Sequence, residues 1–125
     1  MMKYFLSIGS NIEPEENIDF ALEQLDLILD SLKFSSTHRT TSEGFDGDDF
    51  LNLAASGYSD KSFSELNSLL KGIEDKAGRD RNVPKFSSRR LDIDIVIQLD
   101  NDEIIFESEE VEKYSFVSEP LKEII

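Results

Sequence analysis

The chain of 125 residues contains no cysteine, no tryptophan and a single histidine, His38. Without cysteine there are no disulfides, thiolate metal sites or cysteine nucleophiles. One histidine is too few for a multi-histidine metal centre, and it argues against a serine–histidine hydrolase. No apolar run approaches the ~20 residues of a membrane-spanning helix, and the first residues lack the long apolar region of a signal peptide. These absences predict a cytoplasmic protein that does not enter a membrane.

Basic residues are also scarce, because 13 lysines and arginines stand against 27 acidic residues and leave a net charge of −14. Such a surface repels nucleic acid and anionic lipid, so we expect neither as a partner. The same excess of acid makes any local cluster of basic residues informative. The length predicts a single domain over residues 1–125, and we expect a monomer.

The spacing of apolar residues predicts a regular succession of strands and helices. Five segments have the character of strands: Lys3–Ser10, Phe34–Thr40, Phe50–Tyr58, Leu91–Gln98 and Glu103–Phe106. Helices are predicted along an apolar stripe from Ile18 to Leu32, from the capping box Ser62–Glu65 to Ala77, and over Tyr114–Ile125. The order β-α-β-β-α-β predicts an α+β, ferredoxin-like sandwich, in which helices pack against a mainly antiparallel sheet.

The strongest chemical signal is the strand that begins Leu91-Asp92-Ile93-Asp94-Ile95. Strand alternation predicts that Leu91, Ile93, Ile95 and Ile97 share one face and that Asp92 and Asp94 share the other, roughly 6–7 Å apart. Their repulsion is about 2–3 kcal/mol at an effective dielectric constant near 20, which favours a cation between them. Paired carboxylates suit Mg²⁺, although a solvated acidic strand face is the simpler alternative.

A basic segment leads directly into this acidic strand. Residues 79–90 carry a charge of +4, from Arg79, Arg81, Lys85, Arg89 and Arg90 against the single acid Asp80. Positive side chains together with a metal ion are what a polyphosphate ligand requires. The alternative is a basic surface patch that is offset by acidic neighbours.

Two further groups of residues have a functional and a simpler interpretation. Phe50 and Asn52 on one strand face offer a ring for stacking and an amide for reading a heterocycle, or they are an ordinary exposed pair. Phe116 is a candidate for an opposing ring. Lys71 and Glu74, three apart on the second predicted helix, are by default an exposed ion pair. The triplet Gly9-Ser10-Asn11 is most simply a turn, and His38 is a packed or surface residue rather than a catalyst.

Several motifs together resemble the hydroxymethyldihydropterin pyrophosphokinases of folate synthesis. They are spread from Lys3 to Ile124, which is nearly the whole chain. The motifs are Tyr4-Phe5-Leu6-Ser7-Ile8-Gly9-Ser10-Asn11, Asp49-Phe50-Leu51-Asn52, Ile73-Glu74, Gly78-Arg79-Asp80-Arg81, Arg89-Arg90-Leu91-Asp92-Ile93-Asp94-Ile95 and Phe116-Val117-Ser118-Glu119-Pro120-Leu121-Lys122-Glu123-Ile124.

The resemblance implies a ferredoxin-like fold and transfer of pyrophosphate from ATP to 6-hydroxymethyl-7,8-dihydropterin, with release of AMP. It implies that Asp92 and Asp94 bind two Mg²⁺ ions and that Arg79 and Arg89 stabilise the transferred group. The implied ATP-binding residues are Lys71, Glu74, Arg81, Arg89 and Ile95. The implied pterin-binding residues are Thr40, Phe50, Asn52 and Phe116.

The chain also departs from this family in the segment before the last predicted helix. The segment Phe106–Val111 is acidic, whereas the family places a histidine there near the ATP phosphates. Tyr114 stands in place of a family arginine, and Phe86-Ser87-Ser88 replaces a tryptophan followed by Gly-Pro. Three hypotheses follow: an active pyrophosphokinase, a paralogue that binds a pterin-like or nucleotide ligand without efficient turnover, and a ferredoxin-like interaction module.

Overall fold

The structure is a computed structural model that describes residues 1–41, 47–78 and 90–125. The strands are β1 (Met2–Ser10), β2 (Asp30–Phe34), β3 (His38–Thr40), β4 (Phe50–Ser59), β5 (Asp92–Asp100) and β6 (Glu103–Glu107). The helices are α1 (Pro14–Ile28), α2 (Phe63–Lys76), α3 (Glu110–Lys113) and α4 (Ser115–Leu121).

One six-stranded antiparallel sheet organises the described part of the chain. Its order is β2-β4-β1-β5-β6, and β3 pairs with β4 beside β2. The first strand therefore lies between β4 and β5 and pairs with both. This arrangement confirms the predicted α+β, ferredoxin-like fold.

Apolar side chains cover both faces of the sheet. On one face, α1 and α2 insert Ile18, Leu25, Leu66 and Leu70 into a buried cluster with the alternate residues of β1, β4 and β5. On the other face, Val117 and Leu121 of α4 cover Phe5, Ala54, Val96 and Ile97. We call these the long-helix face and the α4 face. Among the described residues, no helix is both long enough and apolar enough to cross a membrane.

The predicted start of α2 is confirmed in detail. The Ser62 hydroxyl accepts the Glu65 backbone N–H at 3.2 Å, and the Glu65 carboxylate accepts the Ser62 N–H at 3.1 Å. This reciprocal pair satisfies two N–H groups that would otherwise lack a helical partner. The chain leaves the helix through Gly78, whose φ of +87° is a left-handed conformation that favours glycine.

The prediction was wrong between α1 and β4. The helix ends at Ile28 rather than near Leu32, and Leu29 is already extended, with φ −121° and ψ 139°. The single predicted strand Phe34–Thr40 is divided into β2 and β3. Leu29 and Leu32 still pack against the long-helix face, so the apolar pattern continues across the change from helix to strand. For this reason periodicity alone did not locate the boundary.

The predicted position of Ile97 was also wrong. The pairing of β1 with β5 shifts between Phe5 and Leu6, which face Ile97 and Ile95, so that β5 carries an extra residue, Val96. Such a bulge reverses the alternation of side chains beyond it. Ile97 consequently packs on the α4 face, whereas Leu91, Ile93 and Ile95 lie on the long-helix face.

The last predicted helix, Tyr114–Ile125, is shorter in the structure, where it is α4, and a second short helix, α3, precedes it. Tyr114 is extended, with φ −124° and ψ 122°, and it separates α3 from α4. The short helix α3 begins within the acidic segment Phe106–Val111. The segment is more ordered than its charge suggested because α3 and α4 pack against each other.

Candidate functional site

A single row across three neighbouring strands brings together two groups of predicted site residues. In the register of the sheet, Asn52 of β4 pairs with Gly9 of β1, and Gly9 pairs with Asp92 of β5. All three positions lie on the α4 face of the sheet. Ala54 is two residues from Asn52 and Phe5 is four residues from Gly9, and both pack in the apolar cluster of the α4 face. Two strand spacings place Asn52 and Asp92 roughly 10 Å apart.

Gly9 allows the Asn52 side chain to pack closely on the middle strand of this row. A Cβ atom at Gly9 would lie 2.9 Å from Asn52 Oδ1 and 3.8 Å from Phe50 Cδ1. The first distance is shorter than any ordinary carbon–oxygen contact, so a side chain here would displace the Asn52 amide. The absence of a side chain at Gly9 therefore makes room for the Asn52 amide over β1, next to the acidic strand.

Three of the four residues predicted to bind a ring lie together beside Gly9. Asn52 is buried, and its Nδ2 donates to Thr40 Oγ1 at 2.7 Å. Thr40 pairs with Phe50 across β3 and β4. The fourth, Phe116, belongs to α4 and stacks on Tyr114, with ring centroids 4.8 Å apart and an interplanar angle of 21°. All four belong to the α4 face or its border.

The acidic half of the site contains three carboxylates rather than two. One oxygen from each of Glu74, Asp92 and Asp94 lies within 4.8 Å of the others. Glu74 comes from α2 and is completely buried, and its Oε2 accepts the Ile93 backbone N–H at 2.7 Å. Sequence alternation could not add Glu74 to the pair, because it reaches the strand from a helix.

Lys71 lies within the same cluster. Its Nζ donates to Glu74 Oε2 at 3.0 Å, to the Ile93 carbonyl oxygen at 3.1 Å and to Asp94 Oδ1 at 3.2 Å. The expectation of an exposed Lys71–Glu74 pair was therefore wrong. The reason lies in the tertiary structure. Among the described pairings, β6 pairs only with residues 97–100 of β5. The peptide groups of Ile93 lie beyond these residues and are bound by side chains of α2 instead.

Burial and repulsion both act on Asp94. Desolvation, followed by the negative charge of Asp92, raises the pKa of Asp94 to about 6, and Lys71 only partly opposes this. The Glu110 carboxylate on α3 raises it further. Burial acts against the charge of Lys71, but Asp94, Glu74 and Asp92 together outweigh burial and raise the pKa of Lys71.

This donor set fits a hard divalent cation. It supplies closely spaced carboxylate oxygens, and the Asp94 side chain is 37% exposed, which leaves room for water or phosphate oxygens. Mg²⁺ prefers such a site, with few carboxylates and the remaining positions open. The raised pKa of Asp94 indicates that its charge is not fully compensated by Lys71, and a divalent cation would compensate it.

The triplet Gly9-Ser10-Asn11 does more than form a turn, which the sequence did not indicate. The Ser10 hydroxyl donates to the Arg90 carbonyl, just before β5, and Asn11 Nδ2 donates to the Asp48 carbonyl at 3.0 Å, just before β4. Both side chains are buried. The C-terminal end of β1 is therefore hydrogen-bonded to the backbone just before β4 and just before β5, the two strands that carry site residues.

The predicted arginines Arg79, Arg81 and Arg89 lie outside the described residues, as does Lys85. Arg90, which follows them, is described, and its Nη1 lies 3.5 Å from Glu13 Oε2. Ile95 has its side chain buried on the long-helix face, so a contact between Ile95 and a ligand at the acidic cluster would have to use its backbone.

Glu123 joins the end of α4 to the segment before β3. It accepts hydrogen bonds from the Ser36 backbone N–H at 2.8 Å and from the Ser36 hydroxyl at 2.9 Å, and it pairs with His38 Nε2 at 2.5 Å. The Ser36 N–H, followed by the His38 ring, lowers the pKa of Glu123 to about 2. His38 thus has a structural partner, in agreement with its prediction as a packed or surface residue.

We expect Gly9→Ala to lower the free energy of unfolding by about 1–3 kcal/mol, because the new methyl group overlaps Asn52 Oδ1. The matched control is Gly72→Ala on α2, where a Cβ meets nothing within 4 Å and helix propensity adds about 1 kcal/mol. Urea unfolding measures both, and NMR signals of the Asn52 amide report its displacement. If the two variants were equally stable, the expected overlap between a methyl group at Gly9 and Asn52 Oδ1 would be contradicted.

Glu123→Gln should lower the midpoint of urea unfolding at pH 7. Because the pKa of Glu123 is about 2 in the folded state, below its ordinary 4.5, its contribution is present above pH 4.5 and is lost as the pH falls toward 2. The difference from the unsubstituted protein should therefore shrink over that interval. Glu119→Gln, which changes an exposed pair with Lys122 on the same segment, should show little effect. If the decrease in the urea midpoint of Glu123→Gln does not vary with pH, this explanation is contradicted.

Comparison with known families gives a match that covers the regions discussed above. Residues 5–125 match the family model described as 7,8-dihydro-6-hydroxymethylpterin-pyrophosphokinase. The match includes both halves of the Asn52–Gly9–Asp92 row, α2 with Lys71 and Glu74, and α4.

Proposed function

Because the chain belongs to the 7,8-dihydro-6-hydroxymethylpterin-pyrophosphokinase family, whose members are ATP-dependent diphosphotransferases of folate biosynthesis, we propose that it catalyses this transfer itself. The substrates would be ATP and 6-hydroxymethyl-7,8-dihydropterin, and the products AMP and the pterin diphosphate. The observation that carries the proposal is the Asn52–Gly9–Asp92 row, which provides an amide and a carboxylate on one sheet face with no side chain on the residue between them.

The pterin would lie at the Asn52 end of the row. Asn52 and Thr40 offer polar groups to the edge of the ring, and their hydrogen bond holds the amide in one orientation. Phe50, beside them, offers a flat apolar surface for stacking, and Phe116 on α4 is proposed as the opposing ring. A ring held at this end would direct its hydroxymethyl group past Gly9, toward the acidic cluster.

The triphosphate would lie at the acidic end. Asp92 and Asp94, with Glu74 beside them, would hold Mg²⁺, and two ions are expected with ATP. When bound, Mg²⁺ neutralises phosphate charge and orients the group that is transferred. The hydroxyl oxygen of the pterin would bond to the β-phosphorus and lose its proton to solvent, while the bond from that phosphorus to the oxygen of AMP would break and release AMP. Such a reaction needs alignment and charge neutralisation more than a covalent intermediate.

Other assigned roles are part of the same proposal. Arg79 and Arg89 would stabilise charge on the transferred group, while Lys71, Glu74, Arg81, Arg89 and Ile95 would contact ATP. Positive groups would be needed here because the chain has a net charge of −14 and would otherwise repel a nucleotide. A monomeric state and a cytoplasmic setting remain predictions from the sequence.

A second candidate function is suggested by Glu110. This residue lies in the acidic segment where the family has a histidine, and its charge contributes to the raised pKa of Asp94. An extra negative charge near the proposed phosphate site opposes triphosphate binding. The alternative is therefore a paralogue that binds a pterin-like or nucleotide ligand without efficient turnover.

The direct test is incubation with ATP, Mg²⁺ and 6-hydroxymethyl-7,8-dihydropterin, followed by chromatographic separation of the nucleotides. We expect AMP in an amount equal to the pterin diphosphate, and no AMP when the pterin is omitted. If ATP and pterin each raise the melting temperature but no AMP forms, the paralogue hypothesis replaces the enzyme. If neither ligand binds, only a ferredoxin-like interaction module remains.

Asp92→Asn should reduce AMP formation by about 100-fold or more, because the amide cannot replace a charged magnesium ligand. It should also abolish the increase in melting temperature that Mg²⁺ with ATP produces. Asp100→Asn is the matched control, since Asp100 is an exposed residue at the opposite end of β5. An unchanged thermal response in Asp92→Asn would refute the role of Asp92 in binding the metal.

A further inference from the structure

Lys71 places a positive charge inside the group of carboxylates that would hold Mg²⁺. Its ammonium has three hydrogens, and it has three acceptors within 3.2 Å: Glu74 Oε2, the Ile93 carbonyl and Asp94 Oδ1. Two of these acceptors belong to the three-carboxylate cluster. A metal ion that entered this cluster alone would therefore meet a cation already bound to two of its carboxylates.

The charge of Lys71 has opposite effects on a bare metal ion and on a metal–nucleotide complex. It repels a divalent cation at close range, and it competes for the oxygen of Asp94. It attracts phosphate oxygens, with which an ammonium forms charge-assisted hydrogen bonds. The Lys71 side chain is 33% exposed and has a flexible four-carbon stem, so its ammonium can turn from Asp94 to an incoming phosphate.

We propose that Lys71 is an internal counter-cation of the Glu74–Asp92–Asp94 cluster, and that it makes Mg²⁺ bind together with a nucleotide triphosphate rather than before it. This inference rests on the proposed function for the identity of the metal and the nucleotide. Its content is an order of binding: the ammonium satisfies Asp94 in the free protein and is released when phosphate oxygens arrive with the metal.

The test measures metal affinity directly, with Mn²⁺ as a paramagnetic substitute for Mg²⁺ and free Mn²⁺ quantified by electron paramagnetic resonance. Binding is measured with and without α,β-methylene-ATP, in which the bond cleaved by the reaction is replaced. The variants are Lys71→Gln, which removes the charge, Lys71→Arg, which keeps it, and Lys76→Gln. Lys76 is an exposed residue of the same helix, so this control makes the same change in net charge.

In the absence of nucleotide, Lys71→Gln should bind Mn²⁺ about tenfold more tightly than the unsubstituted protein. With the nucleotide analogue, it should bind Mn²⁺ several-fold more weakly, because the ammonium no longer meets the phosphates. Lys71→Arg and Lys76→Gln should each change both affinities by less than about threefold. The proposal is overturned if Lys71→Gln binds bare Mn²⁺ no more tightly, or if Lys76→Gln tightens binding equally.

A measurement on the unsubstituted protein keeps the proposal testable if Lys71→Gln does not fold. The NMR signals of ¹³C-labelled lysine side chains are followed while Mg²⁺ is added, first alone and then with the analogue. The Lys71 signals should move only when the metal and the nucleotide are both present. Equal movement with Mg²⁺ alone at the same concentration would overturn the proposed order of binding.

The outcomes separate this inference from the proposed function. If the protein forms AMP but Lys71→Gln does not tighten bare Mn²⁺ binding, the inference fails and the pyrophosphokinase function stands. If no AMP forms while Lys71→Gln tightens Mn²⁺ binding as expected, the enzyme proposal fails and the counter-cation role of Lys71 is supported.

Discussion

The candidate site depends on how the chain satisfies one peptide unit at the border of its sheet. Ile93 lies on β5 beyond the residues that pair with β6, and its N–H and carbonyl are bound by Glu74 and Lys71 of α2. Buried peptide groups need such partners, because an unsatisfied group costs about 1–3 kcal/mol. These hydrogen bonds bring the buried Glu74 carboxylate and the Lys71 ammonium next to Asp92 and Asp94. The same contacts that complete the sheet therefore assemble the acidic cluster.

The second constraint is the small size of Gly9. The strand β1 lies between β4 and β5, so it separates the residues proposed to bind a ring from those proposed to bind a metal. A larger residue in this row would fill the space between them and displace Asn52. The two halves of the site lie close to each other across β1 because Gly9, the middle residue of the Asn52–Gly9–Asp92 row, has no side chain.

Side chains at the ends of elements hold the surrounding segments in place. Ser10 and Asn11 bind the backbone just before β5 and β4, and Glu123 binds the segment before β3. Each contact joins parts of the chain that are far apart in sequence. Together they connect β3, β4, β5 and α4, the four elements on which the described candidate residues outside α2 lie.

Much of this architecture follows from local patterns. The apolar period predicted the two long helices, the capping box predicted the start of α2, and alternation predicted that Phe50 and Asn52 share a face. The paired acids of β5 and the basic segment before it predicted a phosphate site from charge alone. These features depend on residues that are close together in the sequence. The side-chain periods of a strand and of a helix decide which of those residues share a face.

Other features required the folded chain. The helix-to-strand change at Leu29 and the bulge at Val96 leave the apolar pattern intact, so periodicity did not reveal them. Glu74 and Lys71 resemble an exposed helix pair until α2 packs beside Ile93. The sequence by itself determined the two long helices, the start of α2 and which charges cluster along the chain. Tertiary structure alone decided which side chains meet, because contacts across a sheet or from a helix to a strand border join positions that no local period relates.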